Sequence, residues 1–235
     1  MPTFRPLAAV ALTVCLSVAA WMQAQEAPPS SAPFNGRDTS GWTLKGPAER
    51  SQWVVGYAKQ SEKNPGELEL ASSGDAGPQL INSKHGGVDL YSDNKFGDCL
   101  ITLEFMIPKG SNSGVYVMGE YEVQIIDSFG KEREQLKPGD LGGLYTTAAP
   151  LLNAAKQPGE WQSLSIQFRA PKFVDGKKTA NALFEKVLLN GQVIHEQVEM
   201  QGPTPGGLTG KEAATGPLLF QGNHGPVAYR NIVVK

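Results

Sequence analysis

The chain has 235 residues, 19% of them charged, and a formal net charge of −2 at pH 7. A charge this close to zero argues against electrostatic capture of nucleic acid or of an anionic membrane, and the sequence has no block of lysine and arginine. Small molecules, glycans or proteins are therefore the expected partners. The length predicts one β-rich domain with a sizeable apolar core.

The first 24 residues are typical of a secretory signal peptide. Arg5 precedes an apolar run over residues 7–20, which is short for a membrane span but suits a signal sequence. Small residues at positions 18, 20 and 24 leave the cleavage site open. Cleavage would also remove Cys15, leaving Cys99 as the only cysteine and excluding an internal disulfide. We expect a secreted or periplasmic protein with no membrane span after cleavage.

Residues 25–33, rich in alanine, proline and serine, predict an unstructured spacer, and a single domain is expected over residues 34–235. Glycine and proline then recur roughly every eight to fifteen residues, and no segment has a long amphipathic helix pattern. This rhythm predicts an antiparallel β-sandwich. The predicted strands are residues 52–55, 67–70, 79–81, 88–91, 99–107, 114–118, 120–127, 161–169, 181–189, 193–200, 217–221 and 227–234.

The connections carry two further signals. Asn190-Gly191 lies between two apolar runs and predicts a type I′ hairpin, with Leu189 and Val193 flanking the turn. Residues 129–160 and 201–215 are long irregular stretches. Loops of that length in a compact domain are usually functional or mobile.

Polar side chains alternate with apolar ones along the central strands. If strands 99–107, 114–118 and 120–127 are neighbours, one sheet face carries Glu104, Tyr116, Glu122 and Gln124. A pair of carboxylates on such a face can act as acid and base or bind sugar hydroxyls. A solvent-exposed antiparallel sheet shows the same pattern, so spacing alone leaves both interpretations open.

Other candidate residues lie at turns and in loops. Asn112 opens an Asn-Ser-Gly turn, and Asp127 directly follows the polar strand. His224 lies in a late loop, where histidine can be a general base, a metal ligand or simply solvated. His195 has polar neighbours in its strand and is expected to face solvent. No histidine pair has zinc-ligand spacing, so a zinc site is disfavoured and no cofactor is assigned, and calcium held by scattered carboxylates and carbonyls stays open.

Five blocks of sequence, in order, carry a family resemblance. They begin with Phe-Asn-Gly-Arg-Asp-Thr-Ser-Gly-Trp and include Tyr-Glu-Val-Gln followed by Asp-Ser, and they cover residues 34–42, 105–130, 158–162, 190–191 and 216–232. The chain resembles the 3-keto-disaccharide hydrolase domain family over essentially all of its length after the leader.

The resemblance implies a concanavalin A-like jelly-roll sandwich of two antiparallel sheets. It also implies a secreted or periplasmic enzyme acting on glycosides whose sugar ring carries a ketone at C3. Such a ketone acidifies the C2 proton, so a base can remove it, the C1 substituent can leave by elimination, and water can add afterwards. The site then needs a base, donors for the enolate oxygen and groups that bind the sugar.

The resemblance also implies site residues. Glu122 and Gln124 fall on the family's Tyr-Glu-x-Gln motif, and a late motif that often reads Gln-Asp-His-Gly, then Arg-x-Arg-Asn, is altered here. Gly222-Asn223 replaces its aspartate region, His224 is shifted by one place, and Ala228 occupies the first arginine's place. The catalytic candidates are Glu122 and His224, and the substrate-binding candidates are Glu104, Asn112, Tyr116, Gln124, Asp127, Gln221 and Arg230.

Two other functions stay open from the residues alone. A glycan-binding module predicts an open groove lined by aromatic side chains, because jelly rolls host lectins as readily as enzymes. A structural or protein-interaction domain predicts no convergent pocket. The enzyme predicts Glu122, Gln124 and His224 around one closed pocket that takes an oxidised oligosaccharide or glycoside.

Overall fold

The computed structural model describes residue 1, residues 31–74 and residues 76–235. Beyond residue 1, the predicted signal peptide, its cleavage site and the first six residues of the predicted spacer lie outside the described residues. Within those ranges no helix is long and apolar enough to cross a membrane. The strands are β1 Trp42–Lys45, β2 Trp53–Gln60, β3 Leu68–Ala71, β4 Gln79–Asn82, β5 Asp89–Phe96, β6 Cys99–Met106, β7 Asn112–Val117, β8 Tyr121–Ile126, β9 Gln162–Arg169, β10 Lys172–Val174, β11 Lys177–Ala180, β12 Ala182–Leu189, β13 Gln192–Met200, β14 Gly216–Phe220 and β15 Val227–Val234.

These strands form a jelly-roll sandwich of two antiparallel sheets, as predicted. The small sheet has the order β1-β5-β14-β7-β8, and the large sheet has the order β13-β12-β9-β6-β15-β4-β2-β3. Strands β10 and β11 form a separate hairpin. In each strand the residues facing the partner sheet alternate with residues facing outward, because side-chain direction reverses at every position.

Aromatic side chains join the two sheets across the core. Trp42 and Phe220 of the small sheet stack with their ring centroids 5.2 Å apart, and Phe220 stacks on Tyr229 of the large sheet at 4.0 Å. Trp53 continues the stack at 6.4 Å from Tyr229. Each such pair contributes about 0.5–1.5 kcal/mol beyond the burial of its apolar surface. The inner face of the small sheet therefore packs tightly against the large sheet.

All twelve predicted strands are present, and the hairpin at Asn190-Gly191 is confirmed. Both turn residues have positive φ, 52° and 78°, as a type I′ turn requires. The flanking pair is Leu189 and Gln192 rather than Leu189 and Val193, because a two-residue loop pairs the residues immediately beside it. Strands β1, β10 and β11 were not predicted, since three or four residues show too little alternation.

Three predictions about position are wrong. The Asn-Ser-Gly turn predicted at Asn112 is the start of β7, where Asn112 pairs with Ile126 of β8. Strand β6 lies in the large sheet, whereas β7 and β8 lie in the small one, so Glu104 does not share a face with Glu122. The short segment between β6 and β7, with Gly110 at φ 70°, crosses from one sheet to the other. His195 is only 2% exposed rather than solvent-facing, because the loop after β8 covers its strand and the carbonyl of Gly142 lies 2.8 Å from its Nε2.

Candidate active site

The outward face of the small sheet carries the predicted polar motif. Val115 and Val123 point into the core, so the alternating positions Gly114, Tyr116 and Glu122 point outward. Tyr116 is directly opposite Glu122 in the pairing of β7 with β8, and Gly114 is opposite Gln124. The sheet register alone therefore brings the hydroxyl, the carboxyl and the amide onto one small area.

A loop after β8 forms the first wall of this area. The backbone N–H of Gln124 donates to Gly143 O at 2.9 Å, and the backbone N–H of Gly142 donates to Gln124 O at 2.8 Å. Tyr145 N donates to Glu122 O at 3.1 Å. The loop thus pairs with β8 as a further strand would, which satisfies the polar groups of that sheet edge and brings the Tyr145 side chain to the site.

The loop after β13 forms the second wall. Thr204 Oγ1 accepts a hydrogen bond from Glu122 N at 3.0 Å and donates to Glu120 O at 3.0 Å. The buried Glu120 carboxylate accepts from the backbone amides of Thr209, at 2.8 Å, and Gly210, at 2.9 Å. These bonds fix the loop across the sheet and bring its Pro205-Gly206 segment over Tyr116.

A partly open cavity of about 190 Å³ lies between the two loops and the sheet. Six predicted residues meet there, from three separate parts of the chain. The sequence did not single out Tyr145, Pro205 or Gly206, because irregular loops carry no periodicity from which side-chain direction can be read. The lining residues are Asn112, Tyr116, Glu122, Gln124, Tyr145, Pro205, Gly206, Gln221 and His224.

Glu122 is the buried acid of this cavity, with an exposure of 2%. Burial raises the pKa of its carboxyl from 4.5 to about 7; the Tyr116 hydroxyl opposes that rise and the charge of Asp89 adds to it. The carboxyl lies directly over Gly114, where an added Cβ atom would be 2.2 Å from Oε1. Gly114 therefore makes room for a carboxyl that can gain or lose a proton near neutral pH.

Amide side chains surround this carboxyl. Gln124 Oε1 accepts a hydrogen bond from Ile125 N at 3.1 Å, which leaves its NH₂ group as the end available to a ligand. Gln221 Nε2 donates to the Tyr116 hydroxyl at 3.3 Å, and that hydroxyl donates to Pro205 O at 3.2 Å. Asn112 Oδ1 is buried and has no hydrogen-bond partner among the described residues. Such groups favour a ligand rich in hydroxyl and carbonyl oxygens.

His224 reaches the cavity from the loop between β14 and β15. Its Nδ1 hydrogen-bonds to Asn223 Oδ1, an oxygen that can only accept, so Nδ1 carries the proton and Nε2 is left for a ligand. Its backbone carbonyl lies 2.7 Å from His85 Nδ1. Asn82 Nδ2 donates to Gly222 O at 2.9 Å and to Gly225 O at 2.8 Å. The loop that carries His224 is thus held on both sides of the histidine.

Three of the predicted substrate-binding residues lie elsewhere. Glu104 Oε2 accepts from Arg230 Nε at 2.5 Å on the outer face of the large sheet, and the Arg230 guanidinium lies 4.0 Å above the ring of Trp161. Asp127 accepts from Gly110 N at 2.9 Å and caps the turn that follows β8. Their contacts are within the protein, and none of the three lines the cavity.

Among the residues that the structure describes, no group of three or more histidine, cysteine, aspartate or glutamate side chains could hold a metal ion. The cavity itself offers one carboxyl and one imidazole beside neutral amides and hydroxyls. This set of groups suits proton transfer and hydrogen bonding to a neutral, oxygen-rich molecule.

The chain resembles known proteins in sequence and fold. A family model described as the 3-keto-alpha-glucoside-1,2-lyase-like domain matches residues 30–235. The comparison with curated proteins gives no match. A crystal structure of a "putative glycosyl hydrolase" from Parabacteroides distasonis has a TM-score of 0.64 at 24% identity, covering 88% of this chain and 83% of that one.

A second protein of the same description and organism has a TM-score of 0.57 at 18% identity, covering 88% of this chain and 93% of that one. At these identities the two structures show a common fold. The family model spans all fifteen strands and both loops that wall the cavity. The resemblance seen in the sequence is thus confirmed, and the chain belongs to the 3-keto-alpha-glucoside-1,2-lyase-like domain family.

Proposed function

We propose that this protein is a carbohydrate-active enzyme that cleaves 3-keto-glycosides by eliminating the substituent at C1. The observation that carries the proposal is the buried Glu122 carboxyl, with a pKa of about 7, inside a cavity lined by amides, tyrosines and a histidine. The family description and the names of the two structural neighbours support action on a glycoside. The size of the cavity, about 190 Å³, suits a single sugar ring.

The first step is removal of the proton at C2 by ionised Glu122. The neighbouring C3 ketone makes that proton acidic, because the electron pair left behind spreads onto the ketone oxygen. A base works best when its pKa is close to the working pH, and burial brings the Glu122 pKa to about 7. An ordinary exposed glutamate would be a weaker base by more than two pKa units.

The enolate that forms needs hydrogen-bond donors at its oxygen. The NH₂ group of Gln124 is available, since its oxygen is held by Ile125 N, and Tyr145 brings a further hydroxyl to the same cavity. Donors that are already fixed in place stabilise developing charge without a reorganisation cost. Asn112 and Gln221 would bind the remaining ring oxygens, and Tyr116 keeps Gln221 in position.

The second step breaks the bond between C1 and the leaving oxygen. The electron pair from C2 forms the C1–C2 double bond, and the leaving oxygen takes the Nε2 proton of His224 in its imidazolium form, while Nδ1–H stays bonded to Asn223 Oδ1. The products are the free alcohol and a 1,2-unsaturated 2-hydroxy-3-ketone. Water can then add its hydroxyl at C1 and a proton at C2, which returns a 3-keto sugar. Elimination followed by hydration therefore gives the same products as hydrolysis of the glycosidic bond.

Glu122, Gln124 and His224 line one cavity together, which supports the enzyme over a glycan-binding module, for which an open groove lined by aromatic side chains is expected. Export to the periplasm or the cell exterior is part of the proposal and rests on the signal-like sequence of residues 1–24. Substrates would then meet the enzyme outside the cytoplasm.

The test is release of the alcohol from a 3-keto-disaccharide, compared with the same disaccharide in its unoxidised form. We expect cleavage of the keto form only, and a loss of about 10²–10⁴-fold in kcat/KM for Glu122→Gln and for His224→Ala. Glu104→Gln is the matched control, since Glu104 lies on the other sheet. Full activity in both site variants would overturn the assigned roles, and no cleavage of the keto form would overturn the function.

A further inference from the structure

We propose that the ion pair of Lys45 and Asp89 is a positioning device of this site, which holds the loop after β13 and the loop that carries His224 and supplies part of the electrostatic field at Glu122. The inference rests on the proposed function for its kinetic consequences only. Neither side chain lines the cavity, so neither is expected to touch the substrate.

The pair is built by the pairing of β1 with β5. Lys45 and Asp89 are direct partners in that register, and Lys45 Nζ lies 3.4 Å from Asp89 Oδ2. The Asp89 side chain is 9% exposed and that of Lys45 is 31% exposed. A carboxylate this buried requires bonds to all of its oxygen atoms, because an uncompensated buried charge is costly.

Each member of the pair holds a different loop beside the cavity. Lys45 Nζ donates to Gly206 O at 2.8 Å and to Gly207 O at 3.0 Å, in the loop after β13. Asp89 Oδ1 accepts from Gly222 N at 3.0 Å, two residues before His224. One ion pair therefore connects the loop that covers Tyr116 with the loop that carries His224.

Gly206 and Gly222 fit closely at these contacts. A Cβ atom added at Gly206 would lie 2.8 Å from the Tyr116 hydroxyl, and one added at Gly222 would lie 2.2 Å from Val88 O. Both segments approach the sheet as closely as their backbone allows. Loss of the lysine or aspartate contact would therefore displace one of these loops and with it a side chain or carbonyl that lines the cavity, and a misplacement of about 1 Å can reduce rates about 100-fold.

The same pair acts on Glu122 by charge. The titratable groups that line the cavity with Glu122 are Tyr116 on β7, Tyr145 on the first loop and His224 on the late loop, and Tyr229 on β15 interacts with Glu122 by charge from the core side. Asp89 reaches it from β5 and raises the pKa of the Glu122 carboxyl, after the larger effect of burial. Lys45 partly compensates this charge, with Nζ 3.4 Å from Asp89 Oδ2.

The test measures the Glu122 carboxyl directly, by ¹³C NMR titration of the full-length protein labelled at its glutamate carboxyls. The Glu122→Gln variant identifies the resonance. In Asp89→Asn we expect the pKa of Glu122 to fall by roughly half a unit, because one negative charge is removed while the acceptor for Gly222 N is kept. In Lys45→Met the pKa of Glu122 does not fall, since the charge of Asp89 remains.

Asp98 and Lys172 provide the matched control pair. Asp98 likewise accepts from a lysine, at 2.6 Å, and from a backbone amide, that of Ala170, at 2.8 Å, but it lies away from the cavity. We expect Asp98→Asn and Lys172→Met to leave both the Glu122 titration and kcat/KM unchanged. Thermal unfolding of each variant verifies that all of them are folded, and Lys45→Arg is expected to restore the loop contacts if Lys45→Met is unstable.

Kinetics on a 3-keto-disaccharide give the second readout. We expect Asp89→Asn to move the acid limb of the pH–rate profile to lower pH together with the NMR titration, and Lys45→Met to raise KM without that move. An unchanged Glu122 titration in Asp89→Asn, or equal effects in the control pair, would overturn the inference. If the wild type does not cleave the 3-keto-disaccharide but the pKa of Glu122 still falls in Asp89→Asn, only the proposed function is overturned.

Discussion

Replacement of Glu122 by glutamine should make the protein more stable at neutral and alkaline pH while abolishing its proposed base. The folded state holds the Glu122 proton more tightly than the unfolded state, because burial raises its pKa from 4.5 to about 7. Stability contributed by this proton is present below about pH 4.5 and is lost as the pH rises through about 7. Glutamine keeps the shape and never ionises.

The magnitude follows from the two pKa values. A rise from 4.5 to about 7 corresponds to about 3 kcal/mol of unfolding free energy once the carboxyl is fully ionised. The gain of Glu122→Gln over the wild type should therefore be under about 1 kcal/mol near pH 5, about 2 kcal/mol near pH 6 and about 3 kcal/mol above pH 8. Glu122 is 2% exposed, so solvent screening changes this little.

Urea unfolding of both proteins across this pH range measures the difference. An exposed glutamate replaced in the same way, Glu49→Gln, is the control and should give no gain that grows with pH. A difference between Glu122→Gln and the wild type that is constant with pH, or that shrinks as the pH rises, would refute the argument that burial keeps this carboxyl protonated.

Other substitutions test the geometry around the site. Gly114→Ala should leave the protein folded but reduce kcat/KM by about 100-fold, because the new methyl group displaces the Glu122 carboxyl, which is the proposed base. Gly77→Ala, with open space at its Cβ, should have no effect. Glu104→Gln and Arg230→Met should lower the midpoint of thermal unfolding and leave kcat/KM within about twofold, because their bond lies on the other sheet. Gly191→Ala should cost about 1 kcal/mol in urea unfolding, since φ 78° is unfavourable for alanine.

The sequence predicts the architecture well because strands with one buried face alternate strictly. The alternation around Val115 and Val123 correctly places Tyr116, Glu122 and Gln124 on the outward face of their strands. Alternation does not state which strands pair. The segment that crosses between the sheets, from β6 to β7, is only a few residues long. The sequence therefore predicts Glu104 and Glu122 on one sheet face, although they lie in different sheets.

The walls of the site could not be read from the sequence for a different reason. Tyr145 and Gly206 are positioned by backbone bonds to β8 and by a lysine distant in sequence, and neither kind of contact leaves a periodic pattern. Lys45 and Asp89 were missed because β1 is only four residues long. The resemblance to the family supplied what periodicity lacked, namely that Gln221 and His224 join the central motif.

The most direct test of the proposed chemistry is cleavage of a 3-keto-disaccharide deuterated at C2 of the keto sugar, followed by NMR at short reaction times. Elimination requires the C2–D bond to break before the alcohol leaves. We predict slower release than from the unlabelled substrate, and loss of the deuterium from the released sugar. Release at an unchanged rate with the deuterium retained at C2 would show direct displacement at C1 and would contradict the role of Glu122 as the base.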